Sequence, residues 1–321
     1  MNGTLIRKAI REGLPVFLAC TAGLISFCIF RVWIVGRLDS ARFKQIVDLL
    51  PREWDRYSSV DFGWMISYLG RVVMTFDEPM VVMLIALWGI VRGSDVVSGE
   101  LNRGTMEMVL AQPVKRSSVF WSHVFVSLVG TLLLALAVWL GMSIGVEITS
   151  IRETVYRELP LPNGTRIPLT FLKPREEIVA MNNVIDSRMF WPGIINAACM
   201  GWFFVGLTSW LSAWDRYRWR TLGIVTGIYF VMAMLKIGGM AVDSLRWLLH
   251  FSIFSLYEPE LHIRLLENTP EKLWEFVRWN EKLKIQELGP LGCNLALVGL
   301  TIALLVHGNR MFRRRDLTAP I

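Results

Sequence analysis

Long apolar runs, separated by short charged stretches, set the pattern of this chain. From Val119 to Val146 there is no Asp, Glu, Lys or Arg for 28 positions, and the polar side chains are Ser122, His123, Ser127, Thr131 and Ser143. About 20 apolar residues in a helix cross roughly 30 Å of hydrocarbon. Runs of this kind place spans near Leu14–Val35, Val72–Val91, Val119–Val146, Trp191–Ala213, Leu222–Met240 and Gly289–His307. The expectation is an all-α polytopic integral membrane protein with six transmembrane helices, one domain over 1–321, both termini on one side. Arg7, Lys8 and Arg11 precede the first run as they would in a signal peptide. That run is 22 residues long, beyond the roughly 7–15 of a signal h-region, so an uncleaved first helix is expected.

The second run is interrupted. Asp77, Glu78 and Pro79 leave 13 uncharged residues, Pro79–Val91, which rise only roughly 20 Å as a helix. The span must tilt, begin upstream near Gly63, or thin the bilayer. Asp77 followed by Pro79 reads as a cap with proline in the first turn, at which the helix begins or kinks. The other reading of Asp77 and Glu78 is a pair of carboxylates lining an aqueous cavity or drawing in a cation, since ionisable groups at membrane depth are costly. Arg31 and Lys236, near the ends of spans one and five, are expected to snorkel to the interface.

Composition agrees with the pattern: 53% apolar and 19% charged residues, with mean hydropathy +0.44, against roughly 45–50% and 25% in soluble domains. The net charge of +7 would suit a nucleic-acid binder, yet the basic residues punctuate the ends of apolar runs. Residues 1–13, 92–118, 214–221 and 308–321 hold 14 Lys and Arg against 6 acids, while 36–71, 147–190 and 241–288 hold 18 against 19. The positive-inside rule then assigns the first set, with both termini, to the cytoplasm, and 147–190 and 241–288 to the outside. The chain reads as a multi-pass protein of the cell membrane. Trp33, Trp88, Trp121, Trp191, Trp214 and Trp219 fall near span ends, as interfacial rings do. Cys20, Cys28, Cys199 and Cys293 lie in or beside apolar segments and indicate neither a disulfide framework nor a metal site.

Outside the spans, Thr4–Leu14 is amphipathic, with Leu5, Ile6, Ala9, Ile10 and Leu14 opposite Arg7, Lys8, Arg11 and Glu12, as in a helix lying on the membrane surface. Leu245–Tyr257 is apolar but too short to cross, which suits a re-entrant or interfacial helix. Arg92–Ser118 carries unusual punctuation for a loop. Ser94 or Asp95 caps a short helix that Gly104 ends, Thr105 caps a second over Met106–Gln112 that Pro113 stops, and Ser117 caps the next span. Met106, Val109 and Leu110 give the second helix an apolar face that a bilayer or a partner must cover.

This loop resembles that of the ABC-2 type permeases, the transmembrane subunits of one class of ATP-driven exporters. The resemblance rests on Ser98-Gly99-Glu100, Arg103-Gly104-Thr105-Met106-Glu107 and Gln112-Pro113-Val114-Lys115-Arg116-Ser117, directly between spans two and three. Phe251–Pro259 and the tail Arg313-Arg314-Arg315-Asp316-Leu317 are similar to weaker family patterns. The resemblance implies a coupling helix within Asp95–Arg103 that docks on a separate ATPase subunit. Glu100, Arg103, Gly104, Thr105, Glu107 and Pro113 would be its coupling residues, and Thr4–Glu12 a connecting helix beside it. It further implies a dimer with a second permease copy or homologue, contact with membrane lipid, and ATP and Mg used by the partner subunit, with no cofactor on this chain. The 147–190 loop is longer than the resemblance leads one to expect.

No G-x-x-x-x-G-K-[ST] occurs, so phosphates have no Walker-type loop here. His123, His250, His262 and His307 show no metal-ligand spacing. No catalytic residue and no metal site is expected. The competing reading is a membrane anchor or signalling scaffold that transports nothing.

Overall fold

The structure, a computed structural model, describes residues 3–38, 49, 62–155, 158–160, 166–168, 175–280 and 285–315. Most of the 36–71 loop, and Asp316 and Leu317 of the basic tail, fall outside the described residues. Six long helices carry the apolar runs: α1 (Gly3–Arg37), α2 (Tyr68–Asn102), α4 (Arg116–Ile148), α5 (Trp191–Trp214), α6 (Arg218–Ala241) and α8 (Pro290–Arg314). Shorter helices among the described residues include α3 (Thr105–Leu110) and α7 (Pro259–Asn268), with a further single turn at Phe62–Met65. The shortest of the six has 24 residues, roughly 36 Å of rise, so each can span a bilayer. The protein is an all-α polytopic membrane protein.

Helix α5 is the axis of the bundle, packed by α8, α2 and α4, while α1 lies along α4. Its sequence explains the position: Ala197, Ala198, Ser209, Ser212 and Ala213 are small and buried, so neighbouring backbones approach closely without a water-driven force between helices. Helix α6 is peripheral and rests chiefly on the 3-10 segment Asp243–Phe251.

Several boundaries differ from the sequence reading. The amphipathic Thr4–Leu14 stretch is not a separate surface helix; it is the first turns of α1, docked through Leu5 and Ala9. Pro15 lies inside α1 without ending it, one missing ladder bond being tolerable where neighbours support the helix. Span two begins upstream of its interruption. An α turn (Tyr68–Val73) passes into a 3-10 turn (Met74–Asp77), and the helix restarts at Pro79 with Glu78 in the N-cap position. Glu78 makes no cap bond, so capping is not what these carboxylates do.

Short strands appear at the end of the bundle opposite the termini. β1 (Ser150–Val155) pairs antiparallel with β4 (Arg175–Ala180), in register Ser150↔Ala180 to Val155↔Arg175. β2 (Glu158–Pro160) pairs antiparallel with β3 (Arg166–Pro168) between them, so the described strands of the 147–190 loop form two antiparallel pairs. β5 (Val277–Asn280) and β6 (Ile285–Leu288) form a third hairpin before α8. The Leu245–Tyr257 stretch forms two 3-10 segments, Asp243–Phe251 and Ile253–Leu256, and turns back along α6: Ser252 Oγ donates to the Met232 carbonyl at 2.7 Å.

Polar side chains of the spans pin that return. Asn196 of α5 donates to the Leu256 carbonyl at 3.0 Å, and its Oδ1 accepts from the Glu258 amide at 3.1 Å. Tyr257 donates to the Phe76 carbonyl at 2.8 Å. Lys236 donates to the Tyr257 carbonyl at 3.1 Å and Arg31 pairs with Glu78 at 2.8 Å, so both cations are held by the protein rather than snorkelling. Trp33, Trp191, Trp214 and Trp219 are exposed, as rings at an interface should be. Trp88 is buried and donates to the Ser127 carbonyl at 3.0 Å; it is a packing residue.

Candidate functional site

A knot of charge closes the end of the bundle where α2 meets α3. It forms because α2 continues past the apolar run that ends at Val91. Asp95–Gly99 widens into a π turn and the helix continues to Asn102. Ser212 of α5 catches this turn: its hydroxyl accepts from the Val97 and Ser98 amides at 3.1 and 2.8 Å and donates to the Ser94 carbonyl at 3.0 Å. A π turn loosens the i→i+4 ladder, and a neighbouring hydroxyl supplies the lost bonds. The coupling helix expected within Asp95–Arg103 is therefore the last turns of span two, buried through Glu100.

Glu100, only 1% exposed, accepts from Lys8 of α1 at 2.9 and 2.8 Å, from Arg103 at 3.1 Å, and from the Thr105 hydroxyl. His123 of α4 lies 3.9 Å away. Asp95 is a second hub, meeting Arg92 at 3.2 Å, Arg103 at 3.0 Å and Arg218 of α6 at 3.2 Å. Arg92, with no exposure, also donates to the Ala9 carbonyl of α1 at 2.9 Å. Arg103 thus touches both hubs and lies 3.7 Å from Glu12. Burial by itself pulls the Arg103 guanidinium down, but Asp95, Glu100 and Glu12 more than offset it and hold it above its ordinary value. The network ties α1, α2 and α6 to one point through side chains that are charged and mutually compensated, with His123 of α4 beside Glu100.

The remaining predicted loop residues sit beside this knot. Gly104 adopts φ 69, a left-handed turn that favours glycine, and occupies the N-cap position of α3. Thr105 is not the cap; its hydroxyl is spent on Glu100. The loop's second helix, expected over Met106–Gln112, ends at Leu110. Glu107 and Pro113 are exposed and Met106 is buried against Val96, Val97, Phe120 and Phe312. The chain itself therefore covers Met106, whereas Met108 stands 65% exposed. Ser117 is not a cap either: α4 starts at Arg116 and Ser117 donates to Asn309 of α8 at 3.0 Å.

Asp77 and Glu78 lie far from this knot. Asp77 shares a hydrogen bond with Glu260 of α7, with Lys236 and Glu258 beside it. Among the described residues no three His, Cys, Asp or Glu side chains converge as a metal site would need.

Sequence reasoning found Glu100, Arg103 and Thr105 but treated Asp95 as a cap, and assigned no role to Arg92 or Arg218. The signal for Arg92 and Asp95 was their i,i+3 spacing at the edge of an apolar run. Nothing local marks Arg218, which meets Asp95 across 123 positions of chain.

Six crossing helices and a buried charge cluster at one mouth define a polytopic membrane protein whose loop is mechanically joined to its spans. Compared with known families, residues 8–317 match the model of the ABC-2 family transporter protein, nearly the whole chain. The chain belongs to that family and is the permease component of an ABC transporter, and membership implies partnership with an ABC ATPase subunit. No match is found among curated proteins.

Proposed function

We propose that this chain couples ATP hydrolysis by a separate cytosolic ATPase subunit to outward movement of a substrate, acting at the plasma membrane beside a second permease copy or homologue. Both termini and the Arg92–Ser118 loop face the cytoplasm in this reading, which the distribution of Lys and Arg supports. ATP and Mg act on the partner, and no residue of this chain makes or breaks a covalent bond.

The observation that carries the reading is the position of Arg103. It lies between an exposed surface, made of Asn102, Gly104, Glu107, Met108 and Pro113, and the buried carboxylates Asp95 and Glu100. A subunit that pushes on α3 moves Arg103, and with it the partners of both hubs: Lys8 on α1 and Arg218 on α6. Coupling of this kind requires that the ATPase bind two arrangements of the spans with different affinity. The knot supplies discrete contacts that two arrangements can make differently.

The test is co-expression with the ATPase encoded nearest the gene. The purified chain alone should hydrolyse no ATP, and the complex should. Hydrolysis by the isolated chain, or failure of any ABC ATPase to co-purify with it, contradicts the proposal.

A further inference from the structure

The face of the β5–β6 hairpin that looks away from the protein is its apolar face. Strand alternation puts Arg278 on one side and Val277 and Trp279 on the other. Arg278 reaches Glu258 at 3.0 Å and its cross-strand partner Glu287 at 3.2 Å, so its side turns toward the start of α7. Val277 and Trp279 are 49% and 60% exposed, and Trp274 and Phe276 just before them 73% and 55%. A hairpin bathed in water turns its apolar face inward; this one does the reverse.

Its height relative to the bilayer follows from the backbone. The Phe276 carbonyl accepts from the Gly289 amide at 2.8 Å, immediately before α8. A Cβ on Gly292 would lie 2.2 Å from that same oxygen, so only glycine lets the segment lie against the first turn of α8. α8 is a membrane span that presents Leu295, Leu300 and Ile302 outward. The exposed rings are therefore continuous with a surface that faces lipid, at the level where the span begins. Residues 270–288 contain four acids and four bases, so net charge does not draw the hairpin to anionic headgroups.

We propose that Trp274, Phe276, Val277 and Trp279 rest in the headgroup layer of the adjoining leaflet, making this hairpin an interfacial anchor whose occupant is lipid. Large rings with a polar edge suit that layer. Through the Arg278–Glu258 pair the anchor also holds the start of α7. The inference stands independently of how the chain couples to an ATPase.

The test uses the full chain in phosphatidylcholine nanodiscs with a fluorophore on Trp279→Cys, the native cysteines being buried. Expected are blue-shifted emission and stronger quenching by lipid-borne nitroxide near the headgroup than by aqueous iodide. Added anionic lipid should leave both unchanged. Stronger quenching by iodide places the face in water and overturns the proposal. Shielding from both quenchers shows a protein contact and overturns it equally. A requirement for anionic lipid contradicts the apolar account. Circular dichroism of the labelled chain identical to wild type shows that the fold is intact; the same readout at Trp274→Cys keeps the test available if Trp279→Cys misfolds.

Discussion

Arg92 has no access to water, and its compensation is Asp95 and one backbone carbonyl. The partners of Glu100 are different, for Lys8 and Arg103 are each about one third exposed and can turn to solvent. Removing one side of a buried pair costs roughly 3–5 kcal/mol when the other charge is left stranded. Asp95→Asn should therefore lower the thermal stability of the purified chain by about that order, and Glu100→Gln by clearly less; equal losses would contradict this ranking. His262 of α7 makes a separate residue-level prediction. Burial pushes its imidazole down to about 4, the Pro192 backbone opposing only in part, against an ordinary value of about 6.5. Between those values the unfolded chain binds a proton that the folded chain refuses, so stability is fullest above about 6.5 and falls as pH drops toward 4. A melting-temperature profile should show that fall, and His262→Gln should flatten it. Glu100 was singled out because it sits in a recognisable loop pattern, and the structure shows it buried and bonded to Lys8 and Arg103. The pairing of Asp95 with Arg218 and the role of Asn196 were not legible, because those partners come from elements far away in sequence.

Among elements, α3 separates a side chain the chain buries for itself from one it leaves exposed. Met106 is inside and Met108 outside, two positions apart on a helix of 6 residues. Met106→Asp should destabilise the chain itself, since an unpaired carboxylate among Val96, Val97 and Phe120 is costly. Met108→Asp should leave the fold intact and reduce co-purification of the ATPase several-fold; full co-purification would remove this face from the interface. The six long helices were legible as apolar runs, the second only through its 13 uncharged residues Pro79–Val91, because hydrocarbon leaves the backbone no other partner than itself. Their joints were not. The π turn at Asp95–Gly99 depends on Ser212, and the upstream start of α2 on the Ser67 hydroxyl that accepts from the Gly70 amide, neither of which an apolar run records. The surface helix expected at Thr4–Leu14 merged with α1 because Leu5 and Ala9 find the bundle's own interior to bury them.

For the whole molecule, the charge knot and the hairpin end lie at opposite ends of α6, which begins at Arg218 and leads into the 243–251 segment. Cysteines placed at Lys115 and Met108 should react only from the cytoplasmic side, and one at Val184 only from outside. Labelling of Lys115→Cys from outside would reverse the orientation. The most direct measurement follows a fluorophore on Leu245→Cys, in the 3-10 segment that follows α6, in the reconstituted complex with its ATPase. With native Arg103, adding ATP and Mg should change its accessibility to an aqueous quencher. With Arg103→Gln, which is exposed enough to leave the fold standing, hydrolysis should continue while that change is lost. An unchanged response in Arg103→Gln, at the same rate of hydrolysis, would contradict the claim that the knot carries the load from the loop to the spans.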